Sequence, residues 1–592
     1  PPRSTLFPYT TLFRSVSWRL KLMEDYYKRL SAHFEGKSRF LDDTDRPDNM
    51  LCGYIYGSPV AHGIIKSIDY KDALACEGIF AIISHSDIPG KNSMGAVFDD
   101  EPILVEDTAE FYGEAILLIA AKNRECAKRA IDKIKIEIDE LEPVLDVKES
   151  FNKQLFPFPP LHLESGNTDR GFSESDHIIE GELNIGGQEH FYLETHAALA
   201  VPNADGTLNV KSSTQNPSEN QLIISEALGM ESSKIEVSVN VIGGGFGGKE
   251  TQSNWCAVWS SLLAVKCSRP VLMVLDRRED MLITGKRHSV NVSYKVGISN
   301  KGYIRAYSSR FLFDTGFSAD LSRAIMERCM LHLDNCYHIP AIKSDLYPCK
   351  TNRPSNTAFR GFGAPQGIAV IEYIMDEICA VTGIDKAQVR RKNFYGIKTR
   401  NKTPYGQSFK DNILKELYRD LLTSSDYSNR VKEVALFNKK SHYVKRSISA
   451  IPVKFGISFT TSFLNQGAAL VNLYKDGSIT IHQGGVEMGQ GLYDKMVSVT
   501  SAEFGIKREA VRIYPVNSMI IPNTSATAAS TGSDINGHAI KLATERLKKR
   551  LNEFFSKRYG FDKDSIVWED SMIYDSRNPK DRYPLEELVK MA

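Results

Sequence analysis

Residues 241–250 read VIGGGFGGKE, so that five glycines in six positions surround Phe246. A glycine run packs no side chains, and each glycine loses more conformational freedom on folding than any other residue. The gain is a backbone that can adopt positive φ and bring its N–H groups close to a ligand. The window therefore predicts a turn that binds a phosphate group, a dinucleotide or an organic cofactor, or a turn with only a packing role.

The elements on either side position this turn. Before it, apolar residues alternate with polar ones, as in a half-buried strand, at Ile235, Val237, Val239 and Val241. After it, apolar residues recur at helical spacing at Trp255, Val258, Trp259 and Leu262. The glycines therefore lie on a strand-to-helix turn.

Two nucleotide-binding patterns fit this turn only in part. The window Gly243–Lys249 fits G-x-x-x-x-G-K, but Glu250 replaces the hydroxyl residue that holds magnesium, and its carboxylate would repel phosphate. The glycines at 243, 245 and 248 fit G-x-G-x-x-G. The acid that should follow, Asp276, comes late against the usual spacing of about 20 residues. Both patterns are weak as they stand.

Four further segments carry a stronger pattern. They are STQN at 213–216, TAFRGFGAPQG at 357–367, GGVEMGQG at 484–491 and PNTSATAAS at 522–530. Together with the glycine turn, these segments resemble the molybdenum-cofactor subunit of the xanthine dehydrogenase and aldehyde oxidase family. Residues 276–288, 325–328 and 454–460 also resemble that family, in its order. The resemblance covers about residues 36 to 550, and so many ordered matches are highly specific.

The resemblance implies an α+β fold of two domains. A small α/β hammerhead domain is expected over residues 36–146, and 147–168, rich in proline and polar residues, is the predicted linker. A large mixed α/β molybdenum-cofactor-binding domain is expected over 169–592, incomplete at its C-terminus. Residues 1–15 resemble a translated cloning or adapter scar and are left out of fold reasoning.

The cofactor implied by the resemblance is molybdopterin. The pterin holds the molybdenum in this family, so no protein side chain is expected to ligate the metal. Gln215 matches an amide near the metal, and the match to the cofactor loops comprises Gln215, Gly245, Phe246, Gly247, Arg360, Gly361, Gly363, Gly489, Gln490, Gly491 and Ala529.

The substrate implied by the resemblance is a purine. Phe362 and Phe459 match two aromatic residues that hold a flat ring edge-on and face-on. Glu250 and Arg328 match the polar pair that holds opposite ends of the purine, and the arginine would receive developing negative charge. Further matched pocket positions are Arg360, Ala528 and Ala529. We therefore expect oxidation of hypoxanthine and xanthine to urate, with catalytic roles for Arg328, Glu250 and Gln215.

Composition is consistent with this assignment and excludes some partners. The net charge is +1 with acidic and basic residues intermixed, which indicates no nucleic-acid partner. The apolar stretch 115–121 is too short to span a bilayer. Nine cysteines without a C-x-x-C pair argue against an iron–sulfur cluster on this chain and fit reduced thiols in a cytoplasm. Iron–sulfur clusters and FAD are then expected on partner chains or domains of a hetero-oligomer.

Carbon monoxide dehydrogenases fit poorly because residues 359–363 read FRGFG without a cysteine. Two alternatives remain beside a purine-oxidising enzyme. An aldehyde oxidoreductase of the same family would use the same cofactor residues, although its pocket usually lacks the Glu250 and Arg328 pair. An inactive fragment is the second alternative, since the family's catalytic glutamate, in a GEPP-like segment, is expected beyond Ala592. Residues 1–592 alone are then expected to show no turnover.

Overall fold

The computed structural model describes residues 35–95, 97–460, 464–528 and 531–592. Its largest sheet, called here the central sheet, has eight strands. In spatial order they are Val516–Asn517, Ile235–Val239, Leu208–Ser212, Ala197–Pro202, Val271–Val274, Leu51–Gly57, Ala115–Ala121 and Ile79–Ile83. The strand and helix expected around the glycine turn are confirmed as Ile235–Val239 and Asn254–Cys267. The predicted scar at 1–15 lies outside the described residues.

The central sheet joins the two predicted domains. Leu51, Cys52 and Gly53 pair in parallel with Val271, Leu272 and Met273, so hammerhead strands continue the sheet of the cofactor region. Every side chain of Ala115–Ala121 is buried, as expected for a continuous apolar strand covered on both faces. The hammerhead segment also forms a three-stranded sheet of Thr108–Ala109, Gly63–Asp69 and Lys135–Glu140. The sequence boundary near residue 146 therefore does not separate two independent sheets.

A second sheet is formed by five strands. They are Leu161–Ser165, Ile342–Lys350, Ile304–Gly316, Val290–Ile298 and His177–Ile185. The predicted linker 147–168 contributes to this layer, because it contains the helix Val147–Asn152 and the edge strand Leu161–Ser165. The prolines at 157, 159 and 160 directly precede that strand, and the strand's alternating apolar pattern is short. The sequence pattern therefore favoured a linker over a strand.

Two small sheets complete the C-terminal part. Their strands are Ala469–Leu473, Ile479–Gln483 and Val511–Ile513 in one, and Ile566–Glu569, Met572–Asp575 and Tyr583–Pro584 in the other. These sheets pack with the long helix Asn536–Tyr559 around a separate apolar core that includes Ile481, Met496 and Phe555.

The part of the chain that the structure describes contains fifteen α-helices. They are Lys71–Leu74, Arg124–Ile131, Val147–Asn152, Thr168–Ser173, Pro217–Leu228, Asn254–Cys267, Arg277–Ile283, Ser322–Met330, Ala364–Thr382, Lys386–Asn393, Leu414–Ser424, Tyr427–Lys440, Leu492–Phe504, Asn536–Tyr559 and Leu585–Met591, with a π-helix at Thr531–Ile535. The expected mixed α and β architecture is confirmed. Among the described residues, no helix is both long and apolar enough to cross a bilayer.

Candidate active site

The glycine turn is closed by a buried ion pair. One oxygen of Glu194, Oε2, accepts a hydrogen bond from the Gly243 amide at 2.8 Å and lies 3.1 Å from Lys249 Nζ. The other carboxylate oxygen accepts from the Leu41 amide at 3.0 Å. Lys249 is 0% exposed, so its ammonium cannot reach a phosphate in the way that a P-loop lysine does. The P-loop hypothesis is therefore wrong, and the lysine is part of the scaffold.

A second polar network lies below the same turn. His196 Nδ1 is 2.9 Å from Asp280 Oδ2, and the Tyr192 hydroxyl donates to Asp280 Oδ1 at 2.6 Å. Burial raises the pKa of Asp280, but His196 and Tyr192 outweigh burial and hold that pKa well below its usual range. His196 Nε2 donates to the Gly248 carbonyl at 3.0 Å. The network fixes the far end of the turn.

Gln215 connects two loops that the sequence matches to cofactor binding. Its Oε1 accepts from the Gly247 amide and its Nε2 donates to the Thr527 carbonyl, both at 2.9 Å. A Cβ added at Gly245 would lie 2.4 Å from Gln215 Oε1, so this close approach requires glycine. The next residue, Asn216, caps the helix Pro217–Leu228. The amide of Gln215 is therefore held between the 243–249 and 522–528 segments.

The loop at 357–363 packs against the glycine turn. The Arg360 amide donates to the Phe246 carbonyl at 2.8 Å, while the Arg360 side chain is exposed. Gly361, Phe362 and Gly363 have φ of 99°, 49° and 91°, a run of left-handed residues that only glycine adopts without strain. A Cβ at Gly363 would lie 2.0 Å from the Ile325 carbonyl. This backbone path presents Phe362 at the start of the helix Ala364–Thr382.

The loop at 484–491 is shaped by a glutamate that the sequence did not single out. Glu487 accepts hydrogen bonds from the amides of Gly489 and Gly491 at 2.9 and 3.0 Å, and its carbonyl accepts from Ile242 at 3.0 Å. Gln490 donates to the Val486 carbonyl at 2.9 Å, so in this structure its amide shapes its own loop. A Cβ at Gly489 would meet no atom within 4 Å, which leaves that backbone open to a ligand.

Two half-buried aromatic rings lie beside these loops. The centroids of Phe362 and Phe459 are 6.4 Å apart, and the ring planes are inclined by 82°. The two rings meet edge to face. The pair forms one wall against which a flat ring could pack.

Arg328 fixes the segment that carries Phe459. Arg328 projects from the helix Ser322–Met330, and its two terminal nitrogens donate to the carbonyls of Gly456 and Ser458. The side chain is 5% exposed, and burial lowers the pKa of the guanidinium. Its Nε has no hydrogen-bond partner within the described part of the chain. Arg328 is thus a buried cation with no counter-ion among the described residues.

Glu250 supplies the buried carboxyl group of the predicted pair. Its side chain is 4% exposed and has no hydrogen bond or ion pair with any described residue. Burial, and then the carboxylates of Glu219 and Asp320, raise the pKa of Glu250 to about 8. Glu250 and Arg328 do not contact each other, so each can offer its polar group to a bound molecule.

These pKa shifts predict how stability depends on pH. The pKa values of Glu219 and Asp320 are also raised, to about 7 and about 6, by burial and by nearby carboxyl groups. The folded chain binds these protons more tightly than the unfolded chain, so ionisation costs stability as pH rises through these values. Three buried histidines have lowered pKa values and act oppositely, below the ordinary histidine pKa of about 6.5: they are His190, His288 and His332.

We therefore expect thermal stability to fall between about pH 6.5 and 8.5, where the three buried histidines no longer oppose the carboxyl groups. The unfolding temperature, measured by scanning calorimetry, should decrease by several degrees over this range. Glu219→Gln should reduce the decrease, whereas the exposed Glu180→Gln should not. A flat profile would contradict the carboxyl assignment.

The remaining predicted site residues are only partly described. The amide of Ala528 donates to Thr531 Oγ1 at 3.1 Å, and its side chain is half-buried. Ala529 lies outside the described residues. The sequence analysis missed Glu194, Asp280, Glu487 and Thr527, which hold the loops in place. Three of them lie in segments that the sequence analysis had recognised: Asp280 in 276–288, Thr527 in 522–530 and Glu487 in 484–491. Membership in those segments was the available signal for these three residues.

Family models match almost the whole described chain. A molybdopterin cofactor-binding domain matches residues 148–394, and a second one matches residues 420–592. The model for the aldehyde oxidase and xanthine dehydrogenase a/b hammerhead domain matches residues 35–142. The chain belongs to the xanthine dehydrogenase and aldehyde oxidase family. It carries that family's hammerhead domain and its molybdopterin-binding domains.

Relatives in this family extend beyond the chain. The chain is 42% identical over 536 residues to the xanthine dehydrogenase/oxidase of Felis catus. The aligned region covers 90% of this chain and 40% of that protein. The chain is also 43% identical over 523 residues to the xanthine dehydrogenase/oxidase of Mus musculus, covering 88% of this chain and 39% of that protein. The chain therefore spans about two fifths of the length of these relatives.

Solved structures of the family share the fold. Quinoline 2-oxidoreductase from Pseudomonas putida 86 superimposes with a TM-score of 0.84 at 21% identity, covering 95% of this chain and 74% of that one. Aldehyde oxidoreductase from Desulfovibrio gigas gives a TM-score of 0.78 at 24% identity, covering 88% and 58%. The hammerhead and cofactor-domain architecture is therefore confirmed.

Proposed function

We propose that the protein is the molybdopterin-binding part of a purine-oxidising molybdenum hydroxylase. One observation carries the proposal: Glu250 and Arg328 are both buried without an ion-pair partner in the described chain, and Arg328 binds the carbonyl next to Phe459, which forms a perpendicular pair with Phe362. A purine offers ring nitrogens and carbonyl oxygens at opposite ends of a flat ring, which suits one carboxyl group and one guanidinium. The relatives named xanthine dehydrogenase/oxidase support this substrate class.

The residues present fit molybdopterin. A Cβ at Gly489 would meet no atom within 4 Å, and the left-handed glycines at 361 and 363 let the backbone approach a ligand without a covering side chain. Bound there, the cofactor supplies the redox chemistry that transfers a water-derived oxygen to an electron-poor carbon. Gln215, Phe246 and Gly247, with the loops at 360–363 and 489–491, would hold it. Among the described residues, no group of three histidine, cysteine, aspartate or glutamate side chains is arranged to bind a metal directly.

The roles of the pocket residues follow from their charge. Glu250, with a pKa of about 8, is largely protonated at neutral pH and can donate a hydrogen bond to the purine, and once ionised it can accept one. Arg328 stays positively charged and stabilises negative charge that develops on the ring during oxidation. Phe362 and Phe459 orient the ring, and Arg360 lies at the pocket mouth. Electrons would leave to iron–sulfur and flavin centres on other chains or domains.

An aldehyde oxidoreductase is the alternative that the same cofactor loops permit. An aldehyde has no second polar end, so it would leave one of Glu250 and Arg328 unused and buried. A buried polar group that the ligand leaves unpaired lowers the stability of the complex. A purine, which can pair with both groups, is therefore the favoured substrate.

The substrate test compares two specificity constants. The complete protein, expressed with cofactor-assembly enzymes and its electron-accepting centres, should have a kcat/KM for xanthine roughly 10²-fold or more above that for benzaldehyde. Urate formation and benzoate formation are measured per bound molybdenum. Gly363→Ala supplies a cofactor-deficient control, because its Cβ would clash with the Ile325 carbonyl. Preference for benzaldehyde would show that the purine proposal is wrong.

A further inference from the structure

Five carboxyl groups lead from the surface toward the proposed substrate pocket. This set, called here the carboxyl chain, consists of Glu114, Glu101, Asp320, Glu250 and Glu219. Glu219 is half-buried, and the other four are each less than one-tenth exposed. No member forms an ion pair with a lysine, arginine or histidine in the described segments. Uncompensated buried acids are costly, so a set of five calls for a functional explanation.

The outer end of the carboxyl chain lies at a cavity. Glu101 and Glu114 line a space of about 390 Å³ that reaches the surface, where Glu106 and Asp107 are exposed. Glu114 Oε1 is buried and has no hydrogen-bond partner among the described residues. Protons can therefore pass between this end and solvent.

Hydroxyl groups connect Glu101 with the interior. Ser318 Oγ donates to Glu101 Oε2 at 2.8 Å, and Ser318 Oγ lies 2.5 Å from Ser355 Oγ. Two residues further along the same two segments are Asp320 and Thr357. The charge of Asp320 helps to raise the pKa of Glu101, so the two carboxyl groups lie close enough to influence each other.

The inner steps reach Glu250. The hydroxyls of Thr251 and Thr357 are 3.2 Å apart, and both interact with the carboxyl group of Asp320. Thr251 directly follows Glu250 in the chain, and the charge of Asp320 helps to raise the pKa of the Glu250 carboxyl group. Asp320 Oδ2 is buried without a hydrogen-bond partner in the described chain, and its residue has φ of 38°, a conformation that aspartate adopts at a cost. The structure thus maintains Asp320 in a strained position between the two glutamates.

The members are matched for proton exchange near neutral pH. Burial, and then Asp320, raise the pKa of Glu101 to about 8, a value close to that of Glu250. The pKa of Asp320 is raised by burial to about 6, against the hydroxyls of Thr357 and Thr251 that lower it. Asp100 faces Glu101 and Asp320, Glu219 faces Glu250, and Lys350 faces Glu114. Groups with similar pKa values exchange protons without a large uphill step.

We propose that the carboxyl chain carries protons from the substrate pocket to the surface cavity. The inference rests on the proposed function. Hydroxylation converts a C–H group and one water into a C–OH group with release of two electrons and two protons. The electrons leave to the acceptor centres. The two protons, one after the other, enter at Glu250, pass through the threonine hydroxyls and Asp320 to Glu101, and leave at the cavity.

The kinetic test interrupts the carboxyl chain at two points. Glu101→Gln and Asp320→Asn keep shape and hydrogen-bond acceptors but cannot exchange protons. In the cofactor-loaded complete protein, each should lower kcat for xanthine about 10-fold or more, leave KM unchanged and increase the solvent isotope effect on kcat. Asp107→Asn removes an exposed charge from the same cavity and should change none of these. Unchanged kcat and isotope effect in both variants would overturn the proposal.

A second measurement requires no turnover. Infrared titration of the cofactor-free protein should show protonated carboxyl bands that disappear between about pH 6 and 8. One band should be lost in Glu101→Gln, and Asp320→Asn should shift the remaining titration to lower pH because its charge no longer opposes ionisation of Glu101. A titration that Asp320→Asn leaves unchanged would overturn the proposal. If the wild-type protein oxidises no purine, the proposed function fails, and this titration still decides whether the carboxyl groups form one coupled set.

Discussion

Replacement of Arg328 by methionine is expected to lower kcat/KM for xanthine by about 10²–10³-fold while benzaldehyde oxidation changes little. Methionine keeps the length and apolar contacts of the side chain but removes the only buried guanidinium next to Phe459 among the described residues. Oxidation of a purine places negative charge on its ring, whereas oxidation of benzaldehyde places none there. The decrease in kcat/KM should therefore affect xanthine and not benzaldehyde.

Arg328 could act chemically on the substrate or only structurally on the 454–460 segment, and the two roles predict different results. Arg328 also binds the carbonyls of Gly456 and Ser458, so its loss could loosen the 454–460 segment. The ratio of the two specificity constants is the deciding measurement, because loosening lowers both. Arg323→Met on the same helix removes an exposed arginine paired with Glu327 and should leave the ratio unchanged. An unchanged ratio in Arg328→Met would assign Arg328 to the scaffold alone.

Glu194→Gln should destabilise the protein by about 3–5 kcal/mol and reduce its molybdopterin content. The substitution leaves the Lys249 ammonium buried without its counter-ion and weakens the closure at Gly243. Differential scanning calorimetry and cofactor release after denaturation measure the two effects. The glycine turn then loses the constraint that holds both of its ends.

Two comparison variants define the cause. Glu180→Gln removes an exposed partner of Lys295 and should change stability by no more than about 0.5 kcal/mol. The double variant Glu194→Gln, Lys249→Met removes both charges and should recover part of the loss, because the buried unpaired charge is gone. If the double variant is less stable than Glu194→Gln, the buried charge is not the source of the destabilisation.

Local sequence patterns predicted the loops but not the groups that hold them. The glycine turn, the alternating strand before it and the helix after it are encoded within about 30 neighbouring residues, and the structure has them where expected. Glu194 is about 50 residues upstream of the turn it closes, and nothing near it marks that contact. Long-range hydrogen bonds of this kind depend on the assembled fold, so a single sequence carries no local signal for them.

The same reason explains the domain organisation. The segment 147–168 has the proline content of a linker, yet its strand Leu161–Ser165 pairs with Ile342–Leu346, some 180 residues away. Gln215, Phe362 and Phe459 were found because they lie in recognised segments. The buried state of Asp320 and Glu101 was not predicted, since isolated acidic residues usually lie on the surface.

The parallel pairing of residues 51–53 with 271–273 makes the hammerhead part mechanically continuous with the cofactor loops. Strand Val271–Val274 leads within six residues to Asp280, which anchors the turn through His196. Removal of the hammerhead segment would expose the edge of that strand to other chains. The hammerhead is therefore not a module that can be exchanged between relatives at the domain boundary. A working chimera would have to carry both partners of the shared strand edge from one parent.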